Sequence, residues 1–306
     1  MAARTKPIAS VDTWRGEPGV VLSAGDYEAV FLPGLGMLGA SLTYRGTELV
    51  YLGGGPARYR AGHQTGFPLL APWANRLAAR RYRAAGVDVD LRRLPLGTDE
   101  NGLPIHGTMT AQRGWKIVRL EPGSLRTTFD YGARDDLLKA FPFPHALDLT
   151  VALSEAGLRV DVTVRPTGRR RVPVSFGWHP YFTVPGSRSS WRLELPPRRH
   201  LELDAKSIPT GRTTRERADR ERLGARTFDD GYALGGDRRF ALEGDGCRLD
   251  IRFGTNYPYA QVFAPPRSTF VAIEPMTAPT NALATGRCPV VRPGQRFTAS
   301  FTVSAS

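Results

Sequence analysis

Apolar residues recur at every second position through much of this chain, and that period constrains its fold more than any other feature. Leu147, Leu149, Val151 and Leu153 share one side of an extended segment, with Asp148 and Thr150 on the other. After Ser154-Glu155-Ala156-Gly157 the pattern resumes, with Leu158, Val160, Val162 and Val164 inward and Arg159, Asp161, Thr163 and Arg165 outward. Two alternating runs joined by a short glycine-containing turn read as a β-hairpin. The same pattern surrounds Glu243-Gly244-Asp245-Gly246, with Phe240 and Leu242 before it and Leu249, Ile251 and Phe253 after it. Further strands are expected at 18–23, 27–32, 47–52, 126–131, 191–195, 259–264, 269–275 and 296–303. Helical periodicity is nearly absent: 135–141 has room for two turns, and 214–223 reads as a short charged helix or an ordered loop. Short strands punctuated by 33 Gly and 25 Pro, with no alternation of strand and helix, predict an all-β fold of large antiparallel sheets, a sandwich or a barrel. Without a repeat, linker or composition break, 1–306 is expected to be a single domain. Residues 1–14, ahead of the first strand signal, are expected to form a loose N-terminal tail.

The net charge of +13 raises the question of a polyanionic partner. Only four of the 42 basic residues are lysines, Lys6, Lys116, Lys139 and Lys206, a skew that a GC-rich genome produces without selection for nucleic acid. The arginines also alternate with acids, as in Arg215-Glu216-Arg217 and Asp219-Arg220-Glu221-Arg222, which is the pattern of a solvated face. No nucleic-acid partner is therefore expected. No segment approaches the roughly 18 uninterrupted apolar residues of a membrane helix, so no membrane partner is expected either. No apolar stretch follows the early basic residues at the N-terminus, which makes the cytoplasm the expected location. Cys247 and Cys288 are too few for a disulfide framework or a thiolate metal site, and no metal is expected.

Five histidines can be weighed singly. His63 and His200 sit in polar surroundings and read as solvated, and His145 opens a strand after Phe-Pro-Phe-Pro. His106 lies in Asn101-Gly-Leu-Pro-Ile-His-Gly107, whose glycines let backbone approach a ligand. His179 lies in Ser175-Phe-Gly-Trp-His-Pro-Tyr-Phe-Thr183, one imidazole among aromatic side chains on which a sugar's C–H face can stack. A core aromatic cluster holding a satisfied histidine has the same composition. Glu274 ends the apolar run Thr269-Phe-Val-Ala-Ile and precedes Pro275, and a carboxylate at such a place is either paired or functional. Arg76, with Asn75 beside it, is embedded between Leu69-Leu-Ala-Pro-Trp73 and Leu77-Ala-Ala79 and needs a partner, for which substrate hydroxyls, Glu274 or a phosphate would serve. Asp229, in Arg226-Thr-Phe-Asp-Asp-Gly-Tyr232, is either a turn residue or a ligand for hydroxyls. No GxSxG elbow, HExxH, P-loop or strand-borne GxGxxG is present.

Five segments taken in order resemble the aldose 1-epimerase, or galactose mutarotase, family: Ala74-Asn-Arg-Leu77, Pro104-Ile-His-Gly107 with Trp115 following, Gly177-Trp-His-Pro-Tyr-Phe182, Phe228-Asp-Asp-Gly-Tyr232, and Ile273-Glu-Pro-Met-Thr277 continuing to Asn281-Ala-Leu283. The resemblance implies a β-supersandwich with its site in a cleft on one sheet, a small-molecule sugar as partner, and no cofactor. By that analogy Glu274 takes the proton of the C1 hydroxyl while His179 protonates the ring oxygen. The hemiacetal then opens, rotates and recloses as the other anomer. Asn75, Arg76, His106 and Asp229 would bind the sugar. Such a pair is expected to face each other across the width of a pyranose ring. After His106-Gly107 the chain reads Thr-Met-Thr-Ala-Gln-Arg-Gly, where many galactose-active members have a second glycine and a Gly-Phe pair, so galactose specificity does not carry over. Two alternatives stand beside this reading: a hexose-phosphate mutarotase drawing on Arg80, Arg81, Arg83 or Arg113, and a carbohydrate-binding or sensor protein without turnover.

Overall fold

A computed structural model describes residues 6–306, of which 51% are in strands and 7% in helices. The Gly157 hairpin forms as the alternation requires, His145–Ser154 pairing antiparallel with Gly157–Pro166 from His145↔Pro166 to Ser154↔Gly157. Every inward residue named above for this hairpin is at most 3% exposed. The hairpin lies inside a nine-stranded antiparallel sheet, where the central strand Phe297–Ala305 joins it to the second expected hairpin, Arg239–Gly244 with Cys247–Phe253. A five-stranded sheet runs in chain order from Ile8–Trp14 to Thr47–Glu48. An eight-stranded sheet carries Phe228–Leu234, Tyr259–Ala264 and Val271–Met276 side by side, with the two-residue strands Gly177–Trp178 and Tyr181–Phe182 next to them.

One apolar cluster extends from Val20 to Val303 and joins the sheets. Trp178 of the eight-stranded sheet meets Phe301 of the nine-stranded sheet edge-on, with ring centroids 5.9 Å apart. Because side chains alternate along extended backbone, Trp178, Val262 and Ile273 enter this core while their neighbours His179, Gln261 and Glu274 face the opposite way. The fold thereby supplies one sheet face for packing and the other for polar chemistry. No helix among the described residues is long and apolar enough to cross a membrane.

Two sequence expectations change. Residues 8–14 are not a loose tail. Ile8–Trp14 pairs with Glu17–Ala24 from Ile8↔Ser23 to Trp14↔Glu17, through a two-residue turn with Arg15 at φ 48° and Gly16 at φ 81°. This edge strand leaves most of its residues exposed on both sides, so it carries no apolar period to read; residues 1–5 lie outside the described residues. The segment 214–223 is neither helix nor loop, for Pro209–Glu216 and Asp219–Arg222 form outermost strands of the eight- and nine-stranded sheets. Mixed charge suits a sheet edge, where it discourages pairing with other chains. Here it is tied down as well: the guanidinium of Arg198 bonds Glu216 at 2.7 Å and Asp219 at 2.8 Å. Two shorter elements also differ from expectation, with only Thr47–Glu48 extended in 47–52 and only Asp135–Leu138 helical in 135–141.

Candidate active site

Glu274 sits on Val271–Met276 opposite Gln261 of the neighbouring strand, and its side chain is 1% exposed. His179 lies in the gap between Gly177–Trp178 and Tyr181–Phe182, where its backbone N–H donates to the Pro68 carbonyl at 3.1 Å. Alternation continues across the gap, so Trp178 and Phe182 enter the core while His179 and Tyr181 face the cleft. Its ring stacks on Tyr181 with centroids 4.3 Å apart and planes 2° from parallel. Nε2 is 3.4 Å from Glu274 Oε1 and 3.2 Å from the Tyr181 hydroxyl. The two groups touch, and are not a pyranose ring apart. That spacing still fits ring opening, since the two oxygens that exchange protons are both bonded to C1.

His106 reaches the same cleft from a loop. Its φ of 63° is tolerated because the chain is fixed on both sides, the His106 N–H donating to the Asn75 carbonyl at 3.0 Å. The His106 ring meets that of His179 edge-on at 5.6 Å. Asn75 donates through Nδ2 to Gln261 Oε1 at 3.5 Å, and Gln261 Nε2 donates to Asp229 Oδ1 at 2.8 Å. All six sequence candidates, Asn75, Arg76, His106, His179, Asp229 and Glu274, thus line one cleft of about 270 Å³, together with Tyr181, Gln261 and Phe263. This is near the lower end of small-ligand sites, roughly 300–1,000 Å³.

Arg76 does not pair with Glu274. Its Nε donates to Asp99 Oδ2 at 2.7 Å, and its NH2 lies 3.6 Å from Glu100. Asp99, Glu100, Tyr181 and Gln261 are polar residues at the site that were not among the sequence candidates. Gln261 had a legible signal, because it lies in an expected strand two residues from Phe263 and shares its face. Asp99 had none, since its contact with Arg76 depends on how the 97–107 loop closes. The arginines considered for phosphate are engaged elsewhere or lie off the cleft: Arg81 and Arg83 pair with Asp90 and Asp88 along a separate hairpin, and neither Arg80 nor Arg113 lines the cleft.

Burial dominates the electrostatics. It lifts the Glu274 carboxyl well above its ordinary value, with the Asp229 charge adding to the rise and Arg76 opposing it. Burial also holds the His179 imidazole well below its ordinary value, reinforced by His106, and His106 itself is pushed down to about 3 by burial and the Arg76 charge. Glu274 Oε2 and His179 Nδ1 are both buried without a hydrogen-bond partner. An acid and a base in contact, each holding an uncommitted polar atom, can pass a proton into and out of a polar ligand. Among the described residues no group of three or more His, Cys, Asp or Glu side chains is placed to hold a metal ion.

A sequence model of the family described as aldose 1-epimerase matches residues 20–304. The chain belongs to the aldose 1-epimerase family. Its fold is shared by other structures of the group, all distant in sequence. A galactose mutarotase-like protein from Clostridium acetobutylicum superposes with a TM-score of 0.85 at 18% identity, covering 99% of each chain. A putative aldose 1-epimerase from Escherichia coli K12 gives 0.76 at 17% identity, covering 94% of this chain and 98% of the other. Galactose 1-epimerase from Lactobacillus acidophilus NCFM gives 0.75 at 12% identity, over 99% of both. No curated protein sequence matches significantly. At these identities the likeness to solved structures speaks for the fold, so the chemistry of this epimerase-family member has to be argued from its own cleft.

Proposed function

We propose that this chain is an aldose 1-epimerase that interconverts the α and β anomers of a free monosaccharide. The observation that carries the reading is the 3.4 Å contact between His179 Nε2 and Glu274 Oε1, in a cleft also lined by Asn75, Arg76, His106 and Asp229. Opening a hemiacetal moves one proton off the C1 hydroxyl and one onto the ring oxygen. Closing it on the other face reverses both. The pair needs a single mobile proton for this. Burial favours that proton on Glu274 and a neutral His179. Sugar hydroxyls donating to the carboxylate, together with the Arg76 charge, favour the ionised form of Glu274. The proton then resides on His179, and the pair becomes base and acid without any change in proton count. Asn75, Arg76, His106 and Asp229 fix the hydroxyls, and Phe263 offers an apolar face.

Polarimetry of freshly dissolved α-anomers is expected to show catalysed mutarotation by the wild type. His179→Ala is expected to lower the rate by roughly 10²- to 10⁴-fold, the usual contribution of a placed acid or base. An unaltered rate in that variant removes His179 from the mechanism.

The pH profile of kcat/KM is a second test. Activity belongs to the one-proton state of the pair, which is lost when His179 gains a second proton or Glu274 loses its own. The His179 pKa lies well below 6.5, so the acid limb falls below that value. The Glu274 pKa lies well above 4.5, so the alkaline limb is displaced upward. The profile is thus expected to have its acid limb below 6.5 and its alkaline limb above 4.5; an acid limb centred on 6.5, as for an ordinary imidazole, contradicts the assignment.

A further inference from the structure

Asp99 belongs to none of the sequence motifs, yet its carboxylate does two jobs. The side chain is 1% exposed. Its Oδ2 accepts from Arg76 Nε at 2.7 Å, while Oδ1 accepts from the backbone N–H groups of Asn101 at 2.9 Å and Leu103 at 2.8 Å. The loop anchored in this way carries His106. The Leu77 N–H donates to Pro104 O at 2.9 Å, and the Ile105 N–H to Gly97 O at 3.1 Å, before His106 reaches back to Asn75. One buried carboxylate therefore joins the Arg76 guanidinium to the loop that presents His106.

We infer that Asp99 is a positioning residue, which fixes the Arg76 guanidinium so that its remaining N–H groups meet the sugar in register with His106. Its kinetic consequences rest on the epimerase reading above. A guanidinium is planar, so a bond at Nε sets the plane in which NH1 and NH2 lie. Glu100, with its side chain 70% exposed and 3.6 Å from NH2, is too loosely held to do this. Burial works against ionisation of Asp99, but the bonds from Leu103, Arg76 and Asn101 outweigh it and keep its pKa below the ordinary carboxyl value. The clamp is therefore charged at neutral pH.

Asp99→Asn separates the two jobs, because its side-chain oxygen can still receive the N–H groups of Asn101 and Leu103. Misplacement of a binding group by about 1 Å can cost 10²-fold, so kcat is expected to fall by about 10- to 100-fold with a thermal midpoint near that of the wild type. In an Arg76→Ala background the same change is expected to cost less than about 2-fold, since residues that act as one unit are not additive. Wild-type kcat in Asp99→Asn overturns the inference, and so does the full loss repeated without Arg76. If Asp99→Asn does not fold, Arg76→Lys replaces it: the cation stays but the fork is gone, and a near wild-type kcat in that variant overturns the inference too. The Arg76 Nε–H resonance gives a readout without turnover. It is expected to exchange slowly with solvent in the wild type and rapidly in Asp99→Asn. Should the wild type interconvert no anomers, the epimerase reading fails, while the clamp is judged on that resonance alone.

Discussion

Glu274→Gln is expected to remove most of the anomer interconversion while making the protein harder to unfold at neutral and alkaline pH. The first effect follows from the proposed mechanism, in which Glu274 both gives and takes a proton, a role worth roughly 10²- to 10⁴-fold. The second follows from linkage. In the unfolded chain the Glu274 carboxyl ionises near 4.5, whereas in the fold burial and the Asp229 charge keep it protonated to a higher pH. Between those two values the native state binds more protons than the unfolded state, so stability falls as pH rises through the window. Each tenfold difference in proton affinity is worth about 1.4 kcal/mol. Glutamine has the shape of the protonated acid and does not titrate, so it escapes this loss. Thermal unfolding is expected to give equal midpoints for variant and wild type near pH 4.5, and a higher midpoint for the variant at pH 8. A variant less stable at pH 8 would show that the carboxyl is not held neutral by burial. One that retains the wild-type rate would show that it takes no part in the chemistry.

The same buried carboxyl explains why part of the site was legible in the sequence. Glu274 stands out because four apolar residues precede it, and Arg76 because apolar segments flank it; in each case the anomaly is local. The hairpin around Gly157 is legible for the same reason, since a period of two is written into neighbouring positions. What was not legible depends on closure at a distance. Glu274 was one of the partners considered for Arg76, which instead uses Asp99, whose approach is set by the backbone bonds of the 97–107 loop. His200, read as solvated, lies between Glu216 and Asp230 at 3.0 Å from each, because two strands bring those carboxylates to it. The strands Pro209–Glu216 and Asp219–Arg222 were hidden by their charge, since their backbone bonds, not apolar burial, hold them in place. The contact between His179 and Glu274 belongs to both classes: the residues were anomalous one by one, but their separation came from the pairing of two short strands with Val271–Met276.

Gly107→Ala is expected to damage both the fold and the site, because Gly107 touches backbone that cannot move. Its φ is 68°, and a Cβ built there would lie 2.1 Å from the Ala71 carbonyl oxygen and 2.4 Å from its carbon. That carbonyl is already held by the N–H groups of Thr108 at 2.8 Å and Met109 at 3.1 Å, so yielding to the new methyl breaks one or both bonds. The left-handed backbone alone costs an alanine about 1–2 kcal/mol, and each buried bond lost adds about 1 kcal/mol; a total of roughly 3 kcal/mol is expected in denaturant titration. Because His106 is the adjacent residue, the displaced loop is also expected to lower kcat/KM by about 10²-fold. Gly102 provides the control. It lies in the same loop with φ 72°, but a Cβ there meets nothing within 4 Å. Gly102→Ala is therefore expected to show the conformational cost alone, with kcat/KM close to that of the wild type. If the two alanine variants lose equal stability and equal activity, the close approach to Ala71 is not what holds His106 in the cleft.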